Sequence, residues 1–221
     1  MRALLQPQLL VVTVPAGAVL ALACVPLILT DTPAGTLRGL QLVALPVLCT
    51  VLLQAAFAWT PRESRRLPGG PPDASAWRWF ELALLAALVS ASRAGSDLWL
   101  HRLLFIPEIR DWGTFWRKLP FAGLVQPLFL VVGVCAFAAR LSRRMRLTLA
   151  AVVLVHQGVV ALQFGRLLDA VPLAGLVGLA GAHGLLAALA YERYGLCGPA
   201  VLAVVGFARH AVYLLWPASA P

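Results

Sequence analysis

Long apolar runs separated by short polar breaks set the pattern of this chain. The runs fall at about residues 9–30, 39–59, 77–95, 119–139, 147–164, 171–191 and 198–216. Each is roughly 18–22 residues long, enough for an α-helix to cross the hydrocarbon core of a bilayer. Pro15 and Pro26 lie inside the first run; membrane helices tolerate prolines where neighbours satisfy the freed carbonyls. The breaks carry turn-forming residues. DTPAGTLR spans Asp31 to Arg38, and TPRESRRLPGGPPDASA spans 60–76. Trp77 and Trp79 open the third run at the depth where tryptophan favours the membrane interface.

One stretch breaks the pattern. Residues 96–118, SDLWLHRLLFIPEIRDWGTFWRK, are too charged to span. Apolar positions alternate there with His101, Arg102, Glu108 and Arg110, which predicts an amphipathic segment lying in the interface and interrupted at Pro107. An ordinary long loop is the alternative. Arg93, Asp97 and His101 recur at spacing four, so they share one helical stripe, and the simplest use of Arg93 and Asp97 is an ion pair. The expected fold is an all-α, polytopic transmembrane helical bundle of about seven spans plus the interfacial segment. It forms a single integral membrane domain over 1–221, with three spans in 1–95, the interfacial segment at 96–118 and four spans in 119–217.

Composition agrees. The chain is 61% hydrophobic and 12% charged, where soluble domains carry about 25% charged residues. Eighteen basic residues against nine acidic ones give a net charge of +9. Such a balance suits nucleic acid, but the arginines cluster between apolar runs, at Arg62, Arg65 and Arg66 and at Arg140, Arg143, Arg144 and Arg146. That is the signature of the positive-inside rule, and no groove-reading or base-stacking pattern accompanies it. The N-terminus is expected in the cytoplasm, and the arginine- and alanine-rich composition suggests a bacterial plasma membrane. Cys24, Cys49, Cys135 and Cys197 are scattered in or beside apolar runs and read as small apolar residues.

Polar groups within the spans are the candidates for chemistry, because they are costly there. His156 follows Arg146 by 10 residues and His183 precedes Glu192 by 9. At about 1.5 Å per residue, both lie near the middle of the bilayer on sequence-adjacent antiparallel helices. Two level imidazoles can bind a metal, clamp a haem iron or orient a water. Equally, each can be held by a backbone carbonyl or by Gln157 or Gln163. His210 falls near the outer end beside Arg209 and reads as interfacial; Glu81 lies one turn inside the cytoplasmic edge, within reach of head groups. Ala174, Gly178 and Ala182 form a small-residue stripe suited to close helix packing. The chain has no phosphate-binding loop, nucleophile elbow, HExxH, dinucleotide fingerprint or CxxCH.

The passage YERYGLCGPAVLA, Tyr191 to Ala203, resembles one in the CPBP family of CAAX-processing and bacteriocin-processing intramembrane proteases. Upstream, RLSRRMRLTLAAVVLVH, Arg140 to His156, is similar to that family's arginine-rich turn and the helix ending in its FxxxH motif. The resemblance implies a helical membrane protease in which His156 is the first catalytic histidine, with Val152 where phenylalanine is usual. The next histidine position falls on Val204, and the asparagine after it on Ala208. The family's EExxxR glutamate belongs in the fourth span, yet Pro120 to Val134 contains no acid. His183, nearly level with Val204, is the candidate substitute. The resemblance therefore implies a CPBP-like protein with either an altered site or a lapsed one. Two other readings stand beside it: a haem- or metal-binding membrane protein using His156 and His183, and a non-enzymatic anchor, sensor or transport subunit. The expected partners are the lipid bilayer and a membrane protein or peptide substrate, not nucleic acid.

Overall fold

The computed structural model describes residues 7–59, 76–104, 109, 111–142 and 144–215, apart from the side chains of 100–104. The arginine-rich loop, Arg143, Pro107, Glu108, Arg110 and the side chain of His101 lie outside these residues. Seven helices are described: α1 Pro7–Asp31, α2 Thr36–Trp59, α3 Ala76–Leu104, α4 Trp112–Leu141, α5 Met145–Phe164, α6 Ala170–Tyr194 and α7 Cys197–Leu215. All except α3 are long and apolar enough to cross a membrane. At 29 residues α3 is long enough too, but Arg78, Glu81, Arg93 and Asp97 lower its hydropathy. It packs into the same bundle, chiefly against α7. The protein is an all-α polytopic membrane bundle.

Glycine contacts fix how the helices pair. A Cβ on Gly17 of α1 would meet the Thr50 amide of α2 at 2.8 Å. One on Gly184 of α6 would meet His156 Cγ of α5 at 2.9 Å, and one on Gly181 would meet Gln157 Nε2 at 2.7 Å. Close backbone approach is thus built in where a side chain would collide. The Ala174, Gly178 and Ala182 stripe plays no such part. All three are exposed, and the helix turns Gly181 and Gly184 towards α5 instead.

Residues 96–118 divide between two helices. α3 continues through Asp97 to Leu104, carrying the Arg93, Asp97 and His101 stripe past the end of the apolar run at Gly95. The later part opens α4, where Asp111 caps the helix: its Oδ1 accepts the Thr114 amide at 2.8 Å and its Oδ2 accepts the Thr114 hydroxyl at 2.7 Å. Those two bonds, the amide first, hold the Asp111 carboxyl below the usual carboxylate range. The first turns of α4 are amphipathic, with Phe115 buried and Trp112 and Trp116 exposed.

Two stretches of α4 are wound as π-helix, Phe121–Val125 and Leu128–Gly133, and each follows a proline, Pro120 and Pro127. Proline has no amide hydrogen and its ring crowds the carbonyl four residues back, so a wider turn relieves the clash. Around these stretches the glycines of α4 meet two neighbours. A Cβ on Gly123 would lie 2.7 Å from Val204 Cγ2 of α7, and one on Gly133 would lie 2.7 Å from Leu52 Cδ2 of α2.

Candidate functional site

The inner face of α3 changes character along its length. Leu82, Ala86 and Val89 are buried at spacings of four and three. Continuing the same stripe gives Arg93 and then Asp97. The apolar half packs with Ala190, Tyr194 and Leu202. The charged half opens on a chamber of about 1690 Å³, larger than the roughly 300–1,000 Å³ of a typical small-molecule pocket.

Every helix contributes to the chamber, and each does so from the half nearer one end of the bundle. Cys24 and Asp31 come from the second half of α1, and Gln41 from the first half of α2. Arg93 and Asp97 come from the second half of α3. Connectivity makes this the end opposite the start of α1. The chamber runs from there to mid-bundle, where His156 and His183 form part of its wall. Leu27, Leu48, Phe129, Leu130, Val160 and Leu179 supply an apolar lining. Lys118, Arg209, His210 and Tyr213 line the polar end, and Arg93, opposite Gly206 at the middle of α7, lies between them and the mid-bundle histidines. A second cavity of about 230 Å³ between α1 and α2 has a wholly apolar lining, including Ala18, Leu22 and Pro46.

At the polar end Asp97 is committed to α7. Arg209 Nε donates to Asp97 Oδ2 at 2.6 Å and Arg209 Nη2 to Oδ1 at 3.2 Å, a two-pronged pair across the α3–α7 seam. The expected pairing of Asp97 with Arg93 does not form, because α7 brings Arg209 closer. The Arg93 guanidinium lies over the bare face of Gly206, where a Cβ would be 3.0 Å from Nη1. Among the described residues it has neither an ion pair nor a hydrogen-bond partner.

His210 is buried rather than interfacial. Its ring stands edge-on between Phe207, at 5.2 Å, and Tyr213, at 5.9 Å, and Phe115 of α4 extends the stack at 5.3 Å from Phe207. Glu81 pairs with Arg193 of α6 at 2.7 Å.

The two mid-membrane histidines are each held by one bond. His156 Nδ1 donates to the Val152 carbonyl one turn back at 2.9 Å. That tautomer, assigned from the bond, leaves Nε2 with its lone pair. His183 Nε2 lies 2.6 Å from Ser92 Oγ of α3. Ser92 also reaches the Val89 carbonyl at 3.0 Å, so with the hydroxyl proton on that carbonyl the imidazole donates to Oγ. Among the described residues no set of three or more histidine, cysteine, aspartate or glutamate side chains gathers around a common point. Protein zinc sites use three or four ligands; haem iron needs at most two.

A hydrolytic site needs a group to take a proton from water. Of the two acids that line the chamber, Asp31 and Asp97, Asp97 is already engaged by Arg209. The turn of the CPBP-like passage, Tyr191 to Gly198, joins α6 to α7 at the end opposite the chamber's polar residues. The sequence singled out His156 and His183, and both line the chamber. It undervalued Arg93, whose available signal was its place on the buried stripe of α3. Comparison with protein-family models, curated proteins and solved structures found no match. The fold and the chamber establish an integral membrane helical bundle.

Proposed function

We propose that this protein holds an amphiphilic ligand within the membrane, with the ligand's apolar body along α1, α2, α5 and α6 and its polar end beside α3 and α7. The supporting observation is the chamber itself: about 1690 Å³, lined by Leu27, Leu48, Phe129, Leu130, Val160 and Leu179, with four of its five charged residues on α3, α4 and α7. Such a division matches a lipid-like molecule, whose burial gains roughly 25 cal/mol for each Å² of apolar surface removed from water.

The arginines at 140, 144 and 146, together with Arg78 and Arg193, belong to the end opposite the chamber's polar residues. By the positive-inside rule this supports an N-terminus in the cytoplasm, with the polar end of the chamber facing the other side. Arg38, Arg93, Arg117, Lys118, Arg166 and Arg209 run against that rule, and a binding role gives the three that line the chamber, Arg93, Lys118 and Arg209, a reason to be there.

The experiment is to purify the protein in mild detergent and identify tightly held amphiphiles by native mass spectrometry. Leu48, 45% exposed on the chamber wall, is replaced by tryptophan to fill space without cutting into the packed core. A retained amphiphile that Leu48→Trp displaces is the expected result. Equal retention by both proteins would place the molecule on the outer belt of the bundle and remove the reading.

A further inference from the structure

We propose that Arg93 is the anchor of an oxyanion site, and that the ligand it takes carries a phosphate group. The inference rests on the amphiphile reading above and names the chemistry of the ligand's polar end.

Four observations converge. First, an arginine in a membrane domain is expensive unless paired. Arg93 has no partner among the described residues, although it occupies the stripe that buries Leu82, Ala86 and Val89. Second, the neighbouring acid is already taken. Asp97, one turn along α3, spends both carboxylate oxygens on Arg209. Third, the fold makes room for the guanidinium. Gly206 is bare beneath Nη1, and a methyl there would stand 3.0 Å from it. Fourth, the chamber is richer in cations than in anions. Arg93, Lys118 and Arg209 line it with Asp31 and Asp97, leaving one positive charge over before any histidine is counted.

The surroundings favour phosphate over carboxylate. Arg93 comes from α3, Lys118 from α4 and His210 from α7, while the Tyr213 hydroxyl is spent on the Ala94 carbonyl. His210 lies within electrostatic reach of Arg209, Asp97, Lys118 and Arg93. Donors arriving from three helices suit a tetrahedral group with several oxygens. A planar carboxylate is satisfied by one arginine fork, as Asp97 already is. A phosphate-headed lipid and free inorganic phosphate share this chemistry.

The test uses the purified full-length protein in maltoside detergent, with dodecyl phosphate, dodecanol and inorganic phosphate as probes, and binding followed by calorimetry. Dodecyl phosphate should bind more tightly than dodecanol. Arg93→Gln should weaken dodecyl phosphate about 10- to 100-fold, the range for a lost charge-assisted hydrogen bond, and leave dodecanol unchanged. Arg93→Lys should recover part of the loss. Gly206→Ala, which keeps every charge and pushes the guanidinium aside, should also weaken the phosphate probe selectively. Folding is controlled by the melting temperature of the empty protein. Arg93→Gln should melt no lower than the wild type, since it removes a charge that has no partner among the described residues.

Unchanged dodecyl phosphate affinity in Arg93→Gln overturns the proposal. So does dodecyl phosphate binding no better than dodecanol, a result that leaves the amphiphile chamber standing. If neither amphiphile binds but inorganic phosphate does, and Arg93→Gln abolishes it, the oxyanion site holds while the amphiphile reading falls.

Discussion

Asp97 and Arg209 should respond very differently to removal, although they are the two halves of one ion pair. Arg209 is 14% exposed and Asp97 28%, so the pair is largely out of water. Breaking a buried pair by deleting one partner costs about 3–5 kcal/mol; the partial exposure of Asp97 lowers that to roughly 2–3 kcal/mol. Asp97→Asn incurs this in full. It leaves the Arg209 charge without an acid, held only by the Gly206 carbonyl, beside a second guanidinium at Arg93. In Arg209→Gln, by contrast, the freed carboxylate has a replacement cation at spacing four on its own helix, Arg93, and the cost falls to about 1 kcal/mol. For a chain of this size 1 kcal/mol moves the melting temperature by about 2–4 °C. Asp97→Asn should therefore melt about 4–12 °C lower and Arg209→Gln about 2–4 °C lower, read by tryptophan fluorescence in detergent. In an Arg93→Gln background the replacement is gone, and Arg209→Gln should cost as much as Asp97→Asn does in the wild type. Equal costs for the two single variants, or a larger one for Arg209→Gln, would refute the account of Arg93 as a free cation within reach of Asp97.

Gly195 ends α6 with φ 66° and ψ −148°, a region open to little besides glycine; Gly195→Ala should destabilise the protein by about 1–3 kcal/mol in the same melting assay. Gly184→Leu would drive a side chain into the His156 ring, since even a Cβ there is 2.9 Å from Cγ. The expected loss is about 1–3 kcal/mol, and Gly178→Leu, on an open face of the same helix, should be near neutral. Ser92→Ala removes the bond to His183 Nε2 and should cost about 0.6 kcal/mol, the average for hydrogen bonds between membrane helices. The Asp111 cap has a pH signature. Its carboxyl titrates lower in the folded protein than the ordinary value near about 3.9, so its stabilisation is present above that value and fades as pH falls through the lowered one. The melting difference between wild type and Asp111→Ala should persist at about pH 6 and close on acidification below about pH 4.

Helix number and order were legible because a bilayer demands long apolar runs, and those survive any detail of packing. The shared level of His156 and His183 was legible for the same reason, as rise per residue converts sequence distance into depth. Partners across the bundle were not. Arg93 and Asp97 stand at spacing four and predicted each other; only the α3–α7 seam reveals that Arg209 intervenes. His210, counted by depth alone, belongs near the surface, and the aromatic stack from Phe115 to Tyr213 buries it. The 174, 178 and 182 stripe has the right residues at the right interval, yet nothing in one sequence states which face of α6 meets α5. The continuation of α3 beyond Gly95 was legible in Arg93, Asp97 and His101 at spacing four, and the structure carries that helix to Leu104.

The π-wound stretches of α4 have a consequence for length. A π turn inserted in an α-helix accommodates an extra residue without breaking the helix. The stretches at Phe121–Val125 and Leu128–Gly133 therefore give α4 slack that a regular helix lacks. Removing one residue there can be absorbed by tightening a wide turn back to α-helical winding, with the flanking segments keeping their neighbours. The same deletion in α6 would rotate every later side chain by about 100°, one residue's share of a 3.6-residue turn, and carry Gly184 away from His156. Among the helices, deletion tolerance should therefore peak in the middle of α4, where the helix has a residue to spare.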